Sequence, residues 1–254
     1  MAALRPVPID WDAQVRALAS LAGEPWMSGL ELPLRALAAH PGRLDVAAID
    51  SLLAASAGVR FEPQTSKRKR GEPFAYDASY DGSITRRGVV PTREGSMHDL
   101  MNAVIWSVYP ATKRRIHARQ DAALVREVAA GQTALPGRRS RLRDRLSMLD
   151  EGGVIVWARG DEDAIDGALV RGDLDALRAH AARGTLGARV LGHAILEHAS
   201  SQDPRAVRGC VVRIDVVEGE SLDRALVRAL DRDDDALEPW IARLPSLALG
   251  ALFV

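Results

Sequence analysis

Cysteine, lysine and aromatic residues are scarce in this chain. One cysteine in 254 residues, Cys210, rules out an internal disulfide, and its Val-rich setting reads as a strand in a reduced, cytoplasmic protein. Aromatics make up 4% of the sequence and are not interleaved with the basic runs, which argues against a base-stacking nucleic-acid platform. Lysine occurs 3 times against 31 arginines, a bias that reflects base composition before function. No stretch reaches the roughly 18 apolar residues of a spanning helix, so no membrane role is expected. The start, M-A-A-L-R-P-V-P-I-D-W, has no basic segment followed by an apolar core, so no signal peptide is expected. A Gly-rich phosphate loop, a nucleophile elbow and a cysteine cluster are also missing. That argues against nucleotide-triphosphate, serine-hydrolase and zinc-ribbon chemistry.

The net charge is zero, but it is unevenly spread. Residues 60–145 carry a net +9 and the remainder a net −9. A basic middle beside acidic ends fits internal pairing, and it also leaves a polyanion surface open. Candidate contacts for such a surface are Lys67, Arg68, Lys69, Arg70, Arg114, Arg115 and Arg141.

Hydrophobic periodicity predicts three helices within residues 10–57, with Asp45 capping the third and Gly58 ending it. A short strand is expected at 59–63. Phe74, Tyr76, Tyr80 and Ile84 suggest extended structure, with Asp81-Gly82 as a hairpin turn. Ser96 caps an apolar helix, and Pro110 breaks it. Thr112 is the expected cap of a further helix over 113–130, whose first turns, with Lys113, Arg114, Arg115 and Arg119, read as a basic surface. A basic helix over 138–145 leads to a turn at Asp150-Glu151-Gly152-Gly153 and a strong strand at 154–158. Helices follow at 161–169 and 174–182, then a nearly apolar helical stretch at 189–199. A strand at 209–217 can pair with 154–158, and a tail with two helices carries Trp240. The expected class is α+β: one mostly helical domain over 1–254 with a small β-sheet.

From Leu100 to Thr112 there is no charged residue, so the helix after Ser96 must be covered on most sides. His98 and Asn102 then lie in the interior or in a cleft wall, where each needs a hydrogen-bond partner or a ligand. A second nearly apolar helix carries His193 and Glu197 four residues apart, on one face. If the two helices face each other, His98 meets His193 or Glu197. The candidate site is therefore Arg93, His98, Asp99, Asn102, His193 and Glu197, with Asp144, Asp150 and Glu151 as further members. Such a set could hold a divalent metal that activates water, or supply a general base and its orienting carboxylate. The more ordinary reading of the same set is a buried network that locks two core helices, with Arg93 paired to a carboxylate, since structural ion-pair networks mimic active sites. The His98-Asp99 pair also permits a metal phosphohydrolase that would draw on His40 and Asp144.

The run Gly88-x-Val90-Pro91-Thr92-Arg93, followed by His98-Asp99-Leu100-x-Asn102-Ala103-x-x-Trp106-x-x-x-Pro110-x-x-Lys113, resembles an uncharacterised bacterial family, domain of unknown function 3025. Arg143-Asp144-x-Leu146 with Asp150-Glu151-x-Gly153-Val154, and Gly192-His193-Ala194 with Glu197, resemble its later blocks. The likeness spans about residues 35–250 and implies no particular activity or cofactor. The readings that follow are a hydrolase-like enzyme centred on His98 and His193, or else a non-catalytic interaction protein or polyanion-binding module that uses the basic middle.

Overall fold

Proline lacks an N–H and fixes φ near −65°, so Pro110 ends one helix and suits the first position of the next. In the computed structural model, which describes residues 10–64, 79–128, 139–201, 203, 205–233, 236–237 and 245–253, helix α5 (Met97–Val108) stops there and α6 (Pro110–Glu127) begins. Thr112 lies inside α6 and does not cap it. The first-turn amides of Ala111 and Thr112 donate instead to the Asp223 carboxylate, at 2.9 and 2.8 Å. Asp223 belongs to α11 (Leu222–Leu230), and a cap supplied from so far along the chain leaves no local signature.

The first three helices form where the apolar periodicity places them: α1 (Trp11–Ser20), α2 (Glu31–Ala38) and α3 (Val46–Ala57). The Asp45 carboxylate accepts the Ala48 amide, and Gly58 closes α3 at φ +63°, a conformation that glycine adopts without a Cβ penalty. Strand β1 (Arg60–Pro63) follows. The hairpin expected at Asp81-Gly82 is instead α4 (Tyr80–Arg87). The Ser79 hydroxyl accepts the Gly82 amide at 2.9 Å and starts the helix, so Asp81 enters its first turn. Phe74 and Tyr76 lie outside the described residues. Strand β2 (Val89–Thr92) pairs in parallel with β1, with Phe61 opposite Val90.

The Ser140 hydroxyl caps α7 (Arg141–Gly152). This helix runs straight through the expected turn, so Asp150 occupies its last turn and β3 (Gly153–Ala158) starts at once. After α8 (Glu162–Arg171) and α9 (Leu174–Ala182), the stretch read as one apolar helix divides. Strand β4 (Leu186–Val190) pairs antiparallel with β3, and α10 (His193–Ser201) starts beyond Gly192. A short buried strand and a buried helix look alike in apolar sequence, which is why β4 was not separable from α10. As expected, β5 (Arg208–Arg213) pairs with β3, in parallel, and β6 (Ser246–Ala248) completes the order β4-β3-β5-β6.

The fold is thus mostly helical α+β with a two-stranded and a four-stranded sheet. One apolar cluster runs from Trp11 to Leu252 and encloses α5, of which Leu100, Val104, Ile105 and Trp106 are fully covered. Among the described residues, no helix is long and apolar enough to cross a membrane. Trp240 and the second tail helix lie outside those residues.

Candidate active site

Helix α5 enters the site from Ser96, whose hydroxyl accepts the Asp99 amide. The free Asp99 carboxylate turns back onto Arg93, accepting from its backbone amide at 2.6 Å, from Nε at 3.0 Å and from Nη2 at 2.7 Å. This clamp fixes the loop between β2 and α5. Arg93 is therefore paired to a carboxylate, and Asp99 orients the loop.

Helix α10 packs across α5 and brings the two polar sets together. His98 Nδ1 lies 3.3 Å from Glu197 Oε2, and His98 Nε2 lies 3.0 Å from His193 Nε2. The two rings meet edge to face, with centroids 4.4 Å apart. His193 is buried, whereas the side chains of His98 and Glu197 keep 36% and 38% of their exposure, so solvent reaches the pair from one side only. On its far side, His193 Nδ1 donates to the backbone carbonyl of Asp150 at 3.0 Å. Burial, reinforced by the charge on Lys113, pushes His193 down to about 3, so its ring is neutral. The meeting of α5 and α10 at His98, His193 and Glu197 matches the expectation from their apolar sequences.

The close approach depends on Gly192. A Cβ at this position would lie 2.4 Å from the carbonyl oxygen of Glu151 and 2.6 Å from the amide of Gly153. The Gly192 amide itself donates to the carbonyl of Gly153. Only a bare backbone lets the start of α10 pass the end of α7 and set His193 against Asp150.

Beneath the histidine pair lies a layer that the sequence reading missed. Lys113, expected on a basic surface, is instead 0% exposed, and its Nζ donates to Asp150 Oδ1 at 2.5 Å. Burial would raise the Asp150 pKa, yet the charge on Lys113, which also donates a hydrogen bond to it, holds it below the usual carboxylate range. Burial lowers the Lys113 pKa, and Asp150 draws it partly back. Next to this pair, His117 Nδ1 lies 2.8 Å from Asp81 Oδ1, and the His117 ring stacks on Trp106 at 5.6 Å. Asn102 donates through Nδ2 to the Tyr80 hydroxyl at 2.8 Å. Burial, then the Asp150 and Asp99 charges, raise the Tyr80 pKa and keep its phenol protonated. A signal for Lys113 existed: it is one of three lysines in an arginine-rich chain, and it stands one turn before His117.

Tyr80, Arg93, His98, Asn102, Asp150 and His193 line a pocket of about 260 Å³, with Gln64 and Glu151 also in its wall. Asp144 is exposed on α7 and His40 is not part of the lining, so the phosphohydrolase pattern is not assembled. Among the described residues, no group of three or more His, Cys, Asp or Glu side chains could hold a metal ion.

Among the described residues, several side chains of the basic runs are engaged within the chain. Arg114 donates to the Gly58 carbonyl, Arg115 pairs with Asp231 at 2.7 Å, and Arg143 pairs with Glu127 at 3.1 Å. Arg141 is exposed, and Lys67, Arg68, Lys69 and Arg70 lie outside the described residues.

Residues 68–242, more than half of the chain, match the family model described as a protein of unknown function, DUF3025. The chain belongs to this family. The match is narrower than the likeness at residues 35–250 and leaves out α1 to α3, but it takes in every residue of the DUF3025 pocket except Gln64. No curated protein and no solved structure matches the chain.

Proposed function

We propose that this DUF3025 protein is a hydrolase-like enzyme that works by proton transfer at the His98–His193 pair. The observation behind this reading is the 3.0 Å approach of the two Nε2 atoms in a pocket wall, with the Glu197 carboxylate behind His98. Two imidazole nitrogens at that distance need a proton between them, and one of the two rings faces solvent. A purely structural link between two core helices does not require an ionisable pair, since apolar residues of similar volume serve as well. His98 is the acid–base residue, His193 its partner and Glu197 its orienting carboxylate. Asn102 lines the pocket, and Arg93 with Asp99 shapes its rim.

The charge pattern supports proton transfer over phosphate binding. Around the pocket, Arg93 is matched by Asp99, Lys113 by Asp150 and His98 by Glu197, which leaves no surplus of positive charge for a phosphate group. In the hydrolysis proposed, the bond from carbon to the leaving atom breaks with its electron pair going to that atom. The leaving atom takes a proton from His98, and the proton shed by the attacking water restores it. A cytoplasmic setting suits the single cysteine, whose thiol is buried and pushed up to about 11, chiefly by that burial.

The test is a screen of the purified full chain against chromogenic esters, amides, glycosides and phosphate esters, with His98→Gln in parallel. The expected result is turnover of at least one uncharged class, reduced about 100-fold or more in the variant at unchanged melting temperature. Equal turnover by both proteins, or no turnover of any class, contradicts the reading.

A further inference from the structure

We infer that the group this pocket receives is a carboxamide, with its carbonyl oxygen held by the Tyr80 hydroxyl and its N–H by Asn102 Oδ1. This inference deepens the catalytic reading above and rests on it for the bond that is broken. Helical spacing gives the placement. His98 and Asn102 stand four residues apart on α5, so their side chains share a face, and both line the pocket. Asn102 is only 5% exposed, and its Nδ2 donates to the Tyr80 hydroxyl at 2.8 Å. Its acceptor, Oδ1, is left over. Of the buried side-chain polar atoms without a hydrogen bond among the described residues, Asn102 Oδ1 is the one that belongs to this pocket wall. A buried acceptor with no donor costs free energy that an incoming N–H recovers.

Tyr80 supplies the opposite half. Its oxygen accepts from Asn102 and still carries a hydrogen, for which no acceptor occurs among the described residues. The phenol stays protonated, chiefly through burial of the hydroxyl. The two side chains thus offer one O–H donor and one carbonyl acceptor side by side, the complement of the C=O and N–H of a carboxamide. An ester matches the donor alone. A carboxylate brings no N–H either, and it is repelled by Glu151, whose own carboxylate lines the wall and makes no hydrogen bond or ion pair among the described residues. In the hydrolysis of such a group, the water oxygen adds to the carbonyl carbon, and the C–N bond breaks with its electron pair going to nitrogen. The nitrogen takes a proton from the His98–His193 pair, and the proton shed by the water restores that pair, so amide and water give carboxylic acid and amine. Tyr80 donates to the carbonyl oxygen as negative charge builds there, which makes it a catalytic residue, and Asn102 sets the register of the amide.

Titration of the full chain with propionamide, methyl propionate and propionate, followed by NMR at the Asn102 side-chain amide, tests the inference. The signal is assigned with Asn102→Asp. Propionamide should shift it saturably, whereas the ester and the carboxylate, which lack the N–H, should bind about fivefold or more weakly. Tyr80→Phe should weaken propionamide by a similar factor. The three probes are compared on the wild-type chain, so the test does not depend on how well the variant folds. On an amide that is turned over, Tyr80→Phe should lower kcat about 100-fold and change KM less. Equal binding of the three probes, no response to propionamide, or full affinity in a folded Tyr80→Phe overturns the inference. If propionamide binds as stated but no substrate class is turned over, the ligand class stands and the hydrolase reading falls. If esters or glycosides are turned over in a His98-dependent way while propionamide leaves Asn102 unmoved, the hydrolase reading stands and this inference falls.

Discussion

Lys113 and Asp150 form an ion pair sealed inside the protein, with 2.5 Å between Nζ and Oδ1 and almost no access to solvent. The pair links the first turn of α6 to the last turn of α7, and the Asp150 carbonyl then fixes His193. The proton chain in the pocket therefore rests on a buried charge pair.

Lys113→Met should be strongly destabilising, because it strands the Asp150 carboxylate in the interior. Removing one partner of a buried pair costs about 3–5 kcal/mol, whereas replacing both with apolar residues is often close to neutral. Denaturant unfolding should accordingly show Lys113→Met/Asp150→Leu to be less destabilised than the sum of its two single variants. Full additivity would mean that the pair is not coupled.

Stability should fall as the pH drops below the range in which an unfolded histidine titrates. The folded chain holds His193 down to about 3, while an unfolded histidine takes up its proton near 6.5, by ordinary peptide values. Between these limits the unfolded state binds more protons, so the contribution is complete above about pH 6.5 and is lost as pH falls through the folded value. One such group contributes a slope of up to about 1.4 kcal/mol per pH unit. Asp150, lowered as well, acts in the same direction but only below the ordinary carboxylate range. Unfolding midpoints from pH 7 to pH 4 should fall less steeply in His193→Gln, and an unchanged slope would rule out this origin.

Gly192→Ala should cost about 1–3 kcal/mol, since its methyl would enter the backbone of Glu151 and Gly153. It should also shift the ring resonances of His193, which it immediately precedes. Gly152→Ala is the matched control, because a Cβ there meets nothing within 4 Å. Equal melting temperatures for the two variants would contradict the close-approach role of Gly192.

Arg93→Gln should change stability by no more than about 1 kcal/mol despite the loss of two side-chain contacts with Asp99, because the Arg93 side chain is 52% exposed and its pair is screened by water. Thermal melts of the variant give the comparison. A loss of several kcal/mol would show that the loop between β2 and α5 depends on the clamp for its fold.

These relationships differ in how far they could be read in advance. The lack of charge from Leu100 to Thr112 was sufficient to bury α5, and the same pattern around His193 buried α10, so the meeting of His98 with His193 and Glu197 was foreseeable. Lys113 and Asp81 were not, because charged residues are read as surface until their partners are known, and those partners come from other elements of the chain. The same reason hid α4, whose Ser79 cap and burial outweighed a weak extended pattern. It also hid the capping of α6 by Asp223. Local pattern located the two helices, and the deeper polar layer between them emerged only from tertiary contacts.

The most direct check on the proton-transfer account is a double-mutant cycle of turnover for wild type, His98→Gln, His193→Gln and the double variant, on whichever substrate class the screen identifies. If the two rings act as one unit, each single variant should lose about as much activity as the double variant. Independent losses that multiply, or a His193→Gln variant as active as wild type, would contradict it.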